Sequence, residues 1–394
     1  MRFWLKTIAR CRVIVFLLTL TACGDTNPTT LAPSPTPTLQ PTAIITPNPS
    51  TPTVGPLPTL NLPTTTPLVT ATPTQIPPTD QPFSPTTRQI LPPACCRNFG
   101  FSPDNKLYYY DKPAGQPKPA TYLFDPITSQ SQQLFAGFGN FSSDLSLVAV
   151  SNSKTGLINI EKVKDGSLLA KLPHKTTEVI FSPDNSHLAY LVRSSRQDGP
   201  EEPQLFELWA EKIDGTELRT VSRLREGANL AWFPDNRRLL LTARDEANQR
   251  FGLWVIDLES GKATLVVESK GLIAASLSSD GEYLAYAVTL QSKSEIWLAK
   301  SDGTQAVKMG WVGGWRWSSS SKNELYYIPA RSSGETANAL WVYNLTTEKA
   351  NRLTDPAILP LKIALDEWQM SPDNKTLVYR NAVDNALWLL RFRN

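Results

Sequence analysis

Phe181-Ser182-Pro183-Asp184-Asn185, followed by Leu188-Ala189-Tyr190-Leu191, is the stretch on which the reading of this chain turns. A bulky residue ends one strand. Pro183 presets φ for a type I turn, Asp184 bonds its own turn backbone, and Asn185 tolerates the left-handed position that follows. A β-rich run then returns as a second strand. The phrase recurs at Phe101 (FSPDNKLYYY), Phe141 (FSSDLSLVAV), Trp232 (WFPDNRRLLL), Leu277 (LSSDGEYLAY), Trp317 (WSSSSKNELYY) and Met370 (MSPDNKTLVY). The spacings are 40, 40, 51, 45, 40 and 53 residues. A period near forty with β-type patterning predicts an all-β, seven-bladed propeller of four-stranded blades.

The aspartates of the motif (Asp104, Asp144, Asp184, Asp235, Asp280, Asp373) read as turn-formers, one per repeat, and not as a carboxylate cluster. The sixth copy, Ser318 to Ser321, lacks its aspartate, so a looser turn is expected there. The third strand of five repeats carries an aliphatic-Trp pair: Leu208-Trp209, Leu253-Trp254, Ile296-Trp297, Leu340-Trp341 and Leu387-Trp388. One large apolar residue per blade at one register predicts packing between neighbouring blades. The seventh repeat stops after its third strand, while Arg88 to Pro92 has no partner in its own blade. That segment is expected to complete the last blade and fasten the ring.

Upstream the composition changes twice. Residues 1–22 hold four basic residues and a short apolar core, Val13 to Leu20, which predicts a secretory leader too short to span a membrane. Residues 24–87 contain 17 Pro and 19 Thr with only Asp25 and Asp80 charged. Such a segment cannot bury a core and is expected to be disordered or polyproline-like, reaching at most about 200 Å. Residues 88–394 form the propeller.

Leu20-Thr21-Ala22-Cys23-Gly24 resembles the bacterial lipobox. The resemblance implies that Cys23 becomes the lipidated N-terminus and that the protein is an extracytoplasmic, membrane-anchored lipoprotein, in the periplasm or at the cell surface. The seven repeats resemble the TolB-type, WD40-like propeller repeats, whose hallmark is W/F-S-P-D-G before an apolar strand. That likeness implies the fold. It leaves the function open, because fold and function separate readily in this architecture.

Hairpins of a blade alternate between two ends of the disc. One end carries the uniform Ser-Pro-Asp turns. The other carries variable loops (residues 193–204, 244–250 and 331–338) and the longer crossings between blades, where recognition residues are expected. Strand two ends there in Arg193, Arg244, Arg331 and Arg380. A partial ring of guanidiniums could hold a carboxylate- or sulfate-bearing ligand. The competing reading is a solvated rim shared with Asp198, Glu201, Glu202, Asp245, Glu246 and Glu335. Trp311 and Trp315, in Trp311-Val-Gly-Gly-Trp315-Arg-Trp317, are candidates to stack on sugars or peptides, whereas Trp317 sits in a packing register.

The propeller carries 35 Lys and Arg against 34 Asp and Glu, with no basic stripe, so no nucleic-acid partner is expected. Two separated histidines, His174 and His187, cannot build a His-rich metal site, and no metal or cofactor is expected. No nucleophile elbow is present and no catalytic residue is assigned. Glu178, Asp366 and Glu367 could still place carboxylates in the channel of a lyase- or lactonase-type enzyme. The adjacent Cys95 and Cys96 leave a vicinal disulfide, free thiols or an intermolecular bridge open; the first is favoured and would need a bent or cis-like peptide. The expectation is a monomeric binding module for a protein, peptide or glycan partner, with an enzyme or a structural envelope module as the alternatives.

Overall fold

The computed structural model describes residues 86–93, 95, 96, 98–194, 205–245, 249–291, 293–331 and 336–391. The leader, Cys23, the Pro/Thr segment through Pro85, and the rim positions Asp198, Glu201, Glu202, Glu246 and Glu335 lie outside them. The described residues form an all-β propeller of antiparallel sheets arranged in chain order. Five sheets have four strands each. The remaining sheet has seven, because the third and fourth repeats share the strand Arg219–Trp232. Its first part pairs with Leu205–Lys212 and its second with Arg238–Asp245. Glu226 and Asn229 take positive φ on either side of Gly227 and bend the strand there. Leu224 and Arg225 then pair on both sides, so no separate crossing divides the two repeats.

The ring closes as the unpaired segment suggested. Thr86–Leu91 adds antiparallel to Leu387–Arg391, completing the last sheet outside Thr376–Asn381 and Ile363–Met370. A sheet edge near the chain's end is thereby paired with the strand that opens the domain.

Six apolar clusters lie between neighbouring sheets. The five third-strand tryptophans each pack toward the preceding repeat: Trp209, Trp254, Trp297, Trp341 and Trp388. Trp297 stacks on Tyr286 at 6.4 Å. These rings fill the wedge between blades, which widens outward from the axis.

The turn motif is a small, repeated hydrogen-bond unit. Ser182 is fully buried; its hydroxyl donates to Asp184 Oδ1 at 2.6 Å and accepts from the His187 amide at 2.9 Å. Asp184 Oδ1 also accepts from the Ser186 amide. The same set recurs at Ser102, Ser142, Ser278 and Ser371. Phe233 takes the serine position in the fourth repeat, and Arg238 covers its ring at 4.2 Å while binding Asp235. The Asn of the motif does more than adopt positive φ. Asn236 Oδ1 accepts from the Asp184 amide, and Asn105 Oδ1 accepts from the Asp373 amide across the ring closure. In the sixth repeat the turn is held rather than loose: Asn374 of the next repeat donates to Ser318 and Ser320 at 2.6 and 2.7 Å.

Ser182→Ala should cost about 1–3 kcal/mol, read from the urea midpoint, because it orphans the His187 amide inside the fold. Burial disfavours ionised Asp184, yet the Ser182 hydroxyl and the Ser186 amide and hydroxyl outweigh it and hold the carboxyl below its ordinary value. Asp104, held mainly by Lys106 and Ser102, behaves alike, as do Asp144 and Asp235. A depressed carboxyl stabilises the fold above its unfolded value, about pH 4, and loses that contribution as pH falls through the folded values. Urea midpoints should therefore drop steeply below about pH 4, and Asp184→Ala should flatten that slope.

Candidate functional site

The strand registers define two ends of the propeller. Phe181 pairs with Leu188 beside the Ser-Pro-Asp turn, and Thr176 pairs with Val192 at the opposite end. The first end is the turn face and the second the loop face. In the last sheet Thr86 pairs with Arg391 on the turn face, and Leu91 with Leu387 on the loop face. The chain therefore enters the propeller on the turn face, leaving the loop face opposite its point of entry.

The four register-matched arginines divide on the loop face. Arg193 is exposed, with its guanidinium 6.0 Å from the Phe206 ring centroid. Arg331 is exposed and donates to the Thr336 carbonyl at 3.4 Å. Arg244 is half-buried, donates to Glu226 at 3.0 and 3.1 Å and to the Gln249 carbonyl at 3.0 Å, and lies 5.5 Å from Phe251. Arg380 does not join them. It is 7% exposed, and it donates to the carbonyls of Cys95 (3.1 Å) and Cys96, to the Asn385 carbonyl (3.2 Å) and to Glu367. A buried guanidinium needs acceptors, and here the ring-closing crossing supplies them.

The Trp candidates turn inward as well. Trp315 is 9% exposed and donates to Ser276 Oγ of the preceding sheet at 2.8 Å. Trp317 shares that oxygen at 3.0 Å. The pair is an inter-sheet clamp, so Trp315 offers no open stacking surface. Trp311 is half-buried and stacks on Tyr327 with centroids 4.2 Å apart; its indole N–H is enclosed without an acceptor. Next to it Val312 stands exposed.

The three carboxylates proposed for the channel are each tied across a seam. Glu178 accepts from the Leu230 amide at 3.0 Å. Burial pushes its carboxyl above the usual range, and that hydrogen bond only partly offsets the effect. Glu367 pairs with Arg380. Asp366 accepts from Trp368 Nε1 at 2.5 Å and from Arg316 at 3.4 Å, while Arg316 also reaches the carbonyls of Trp315, Asp366 and Trp368. The Arg316 guanidinium lies 4.6 Å from the Trp368 ring centroid. A methyl group at Gly314 would overlap the Asp366 carboxylate, so the glycine makes room for this knot. Sequence reading set Arg316 opposite the two tryptophans but missed its role. The signal available was an arginine in the register where neighbouring repeats carry Gly100, Ile180 and Ser276.

Cys95 and Cys96 form a vicinal disulfide, both buried. Their Cα atoms are 3.7 Å apart, as across a trans peptide, and the bend is made by φ of 61° at Cys96. Among the described residues no three His, Cys, Asp or Glu side chains come together as a group able to hold a metal ion, and no helix is long and apolar enough to cross a membrane.

Sheet order and closure together define a β-propeller. No protein-family model matches the chain, and no curated protein does. Among solved structures it is similar to an oligogalacturonate lyase in complex with manganese, with a TM-score of 0.60, 14% identity, and coverage of 80% of this chain and 97% of that one. An oligogalacturonate lyase from Vibrio parahaemolyticus gives 0.60 at 14% identity, covering 79% and 96%. A chain of the mitotic checkpoint complex gives 0.51 at 16% identity, covering 82% and 96%. Likeness at such identity speaks to fold, and these folds serve unlike roles.

Gly314→Ala should destabilise the protein by about 1–3 kcal/mol, as overpacking does, read from the thermal midpoint. Glu178→Gln keeps the acceptor for the Leu230 amide and removes a carboxyl whose folded value is raised. Such a group favours the fold below its unfolded value, about pH 4.3, and loses that contribution as pH rises through the folded value. The variant should equal or exceed the parent in urea midpoint at pH 8 and match it at pH 4.

Proposed function

We propose that the chain is a membrane-anchored extracytoplasmic binding module whose loop face holds an anionic glycan or peptide. The observation that carries this reading is the distribution of charge at that face. Arg193, Arg244 and Arg331 stand at equivalent strand ends with exposed or half-exposed guanidiniums, whereas Glu178, Asp366 and Glu367 are engaged in seams. Planar guanidiniums suit carboxylate or sulfate groups presented along a chain. Entry of the polypeptide on the turn face leaves the loop face free of the tether.

The anchor belongs to the same proposal: the Leu20-Thr21-Ala22-Cys23 motif supports lipidation at Cys23, followed by a Pro/Thr stalk. The blade count is part of it too. Counting the seven-stranded sheet as two repeats with a shared strand gives seven blades of the TolB-like type, one per motif. The protein would act as a monomer.

A second reading is an enzyme of the lyase class, supported by the likeness to the two oligogalacturonate lyases. One of them holds manganese; the described residues of this chain bring together no comparable donor group, so no step through a metal follows.

Full chain in detergent should bind sulfated or uronate-rich glycan beads, and Arg193→Gln/Arg244→Gln/Arg331→Gln together should lower the affinity at least about tenfold without moving the thermal midpoint. Equal binding by the triple variant would end the assignment of this face. Release of an ultraviolet-absorbing unsaturated product from a uronate chain would favour the lyase reading. Cys23→Ala should move the protein from the membrane fraction to the soluble one; unchanged partition would end the lipid-anchor reading.

A further inference from the structure

The crossing between Leu91 and Asn98 joins the ring-closing strand to the first sheet, and the vicinal disulfide lies within it. The two cysteines belong to one apolar cluster with Leu91, Phe99, Leu107, Val378, Leu387 and Leu389, drawn from both sides of the closing seam. Their carbonyls are two of the acceptors on which the buried Arg380 depends. Arg380 in turn ties the inner strand of the last sheet, through Glu367, to the hairpin at Asn385. Disulfide, crossing and guanidinium thus form one unit at the place where the chain's two ends meet.

Breaking the bond changes the shape of that unit. Two bonded sulfurs must move apart to van der Waals contact inside a packed cluster, and close-packed interiors do not take up such an increase without displacement. The crossing is the least restrained element there, since Cys95 has only the 3.4 Å amide contact to Pro92 along its own backbone. Its displacement carries the Cys95 and Cys96 carbonyls away from Arg380, and a buried guanidinium that loses acceptors destabilises its surroundings.

We propose that Cys95–Cys96 is a redox latch on ring closure, opened by a dithiol reductant and resealed by a disulfide oxidant. A reductant thiolate attacks the Cys95 sulfur, the more exposed of the two, and the Cys96 sulfur leaves as thiolate and takes a proton. The reductant's second thiol then displaces Cys95 from the mixed disulfide. Two electrons and two protons have passed to the protein, and the reductant has become its own disulfide. The opened latch loosens the pairing of Thr86–Leu91 with Leu387–Arg391 and leaves the other sheets intact. Because the crossing lies on the loop face, the surface presented there changes with it.

The test uses the full chain in detergent, treated with dithiothreitol under native conditions, with the redox state of Cys95 and Cys96 read by alkylation and peptide mass. Backbone hydrogen exchange is followed in parallel. Reduction should speed exchange across residues 86–91 and 387–391 at least about tenfold, leave residues 238–257 unchanged, and reverse on reoxidation. Arg380→Lys, which keeps the charge but loses the forked geometry, should make the disulfide reduce at least about threefold faster. Unchanged exchange after complete reduction would overturn the proposal. So would acceleration spread evenly over all sheets, or a disulfide that reacts only in denaturant.

Discussion

The antiparallel pairing of Thr86–Leu91 with Leu387–Arg391 joins the two ends of the domain, and every inter-sheet cluster relies on that closure. A single blade has two apolar faces and can bury neither alone. In a closed ring each face meets a neighbour, and the large residues between sheets, from Trp209 to Trp388, are shielded on both sides. An open ring would leave the seam between the first and last sheets wet, with Leu91, Phe99, Val378 and Leu387 exposed. The chain therefore concentrates restraints there: a strand pairing, the hydrogen bond from the Asp373 amide to Asn105, the buried Arg380 and a disulfide.

Most of the architecture was legible because it is carried by local chemistry that repeats. Ser182 and Asp184 settle a turn among five neighbouring residues, and the same set is visible in other copies without knowledge of the fold. The closing strand was legible for a different reason: the last repeat lacked one strand and the first had one to spare. What could not be read was chemistry between residues far apart in the chain. Arg380 sits in register with three other arginines, yet its acceptors are nearly three hundred residues upstream. Trp315 needs Ser276, and Asn374 replaces a missing carboxylate in a repeat to which it does not belong. The merger of two repeats depends on Glu226 and Asn229 taking positive φ, a choice that nothing in their local sequence demands.

The two faces divide labour in physical terms. On the turn face polar groups are satisfied by their own repeat or the next, so the surface is uniform and rigid. On the loop face the strand ends differ in charge, and the cations that remain at its margin are those with the fewest protein acceptors. Carboxylates near the axis hold neighbouring sheets together, which ties the shape of the mouth to the packing of the seams behind it.

The shared strand Arg219–Trp232 sets a limit on how this polypeptide can be rearranged. A ring of repeats can in principle be cut at any crossing and rejoined elsewhere, giving circularly permuted chains with the same blades. Between the third and fourth repeats there is no crossing to cut, since Leu224 and Arg225 are bonded on both flanks. New termini placed there would sever two sheets at once, whereas an opening at another crossing would sever none. Duplication or loss of repeats in descent from a common unit would meet the same barrier, and these two would be gained or lost together.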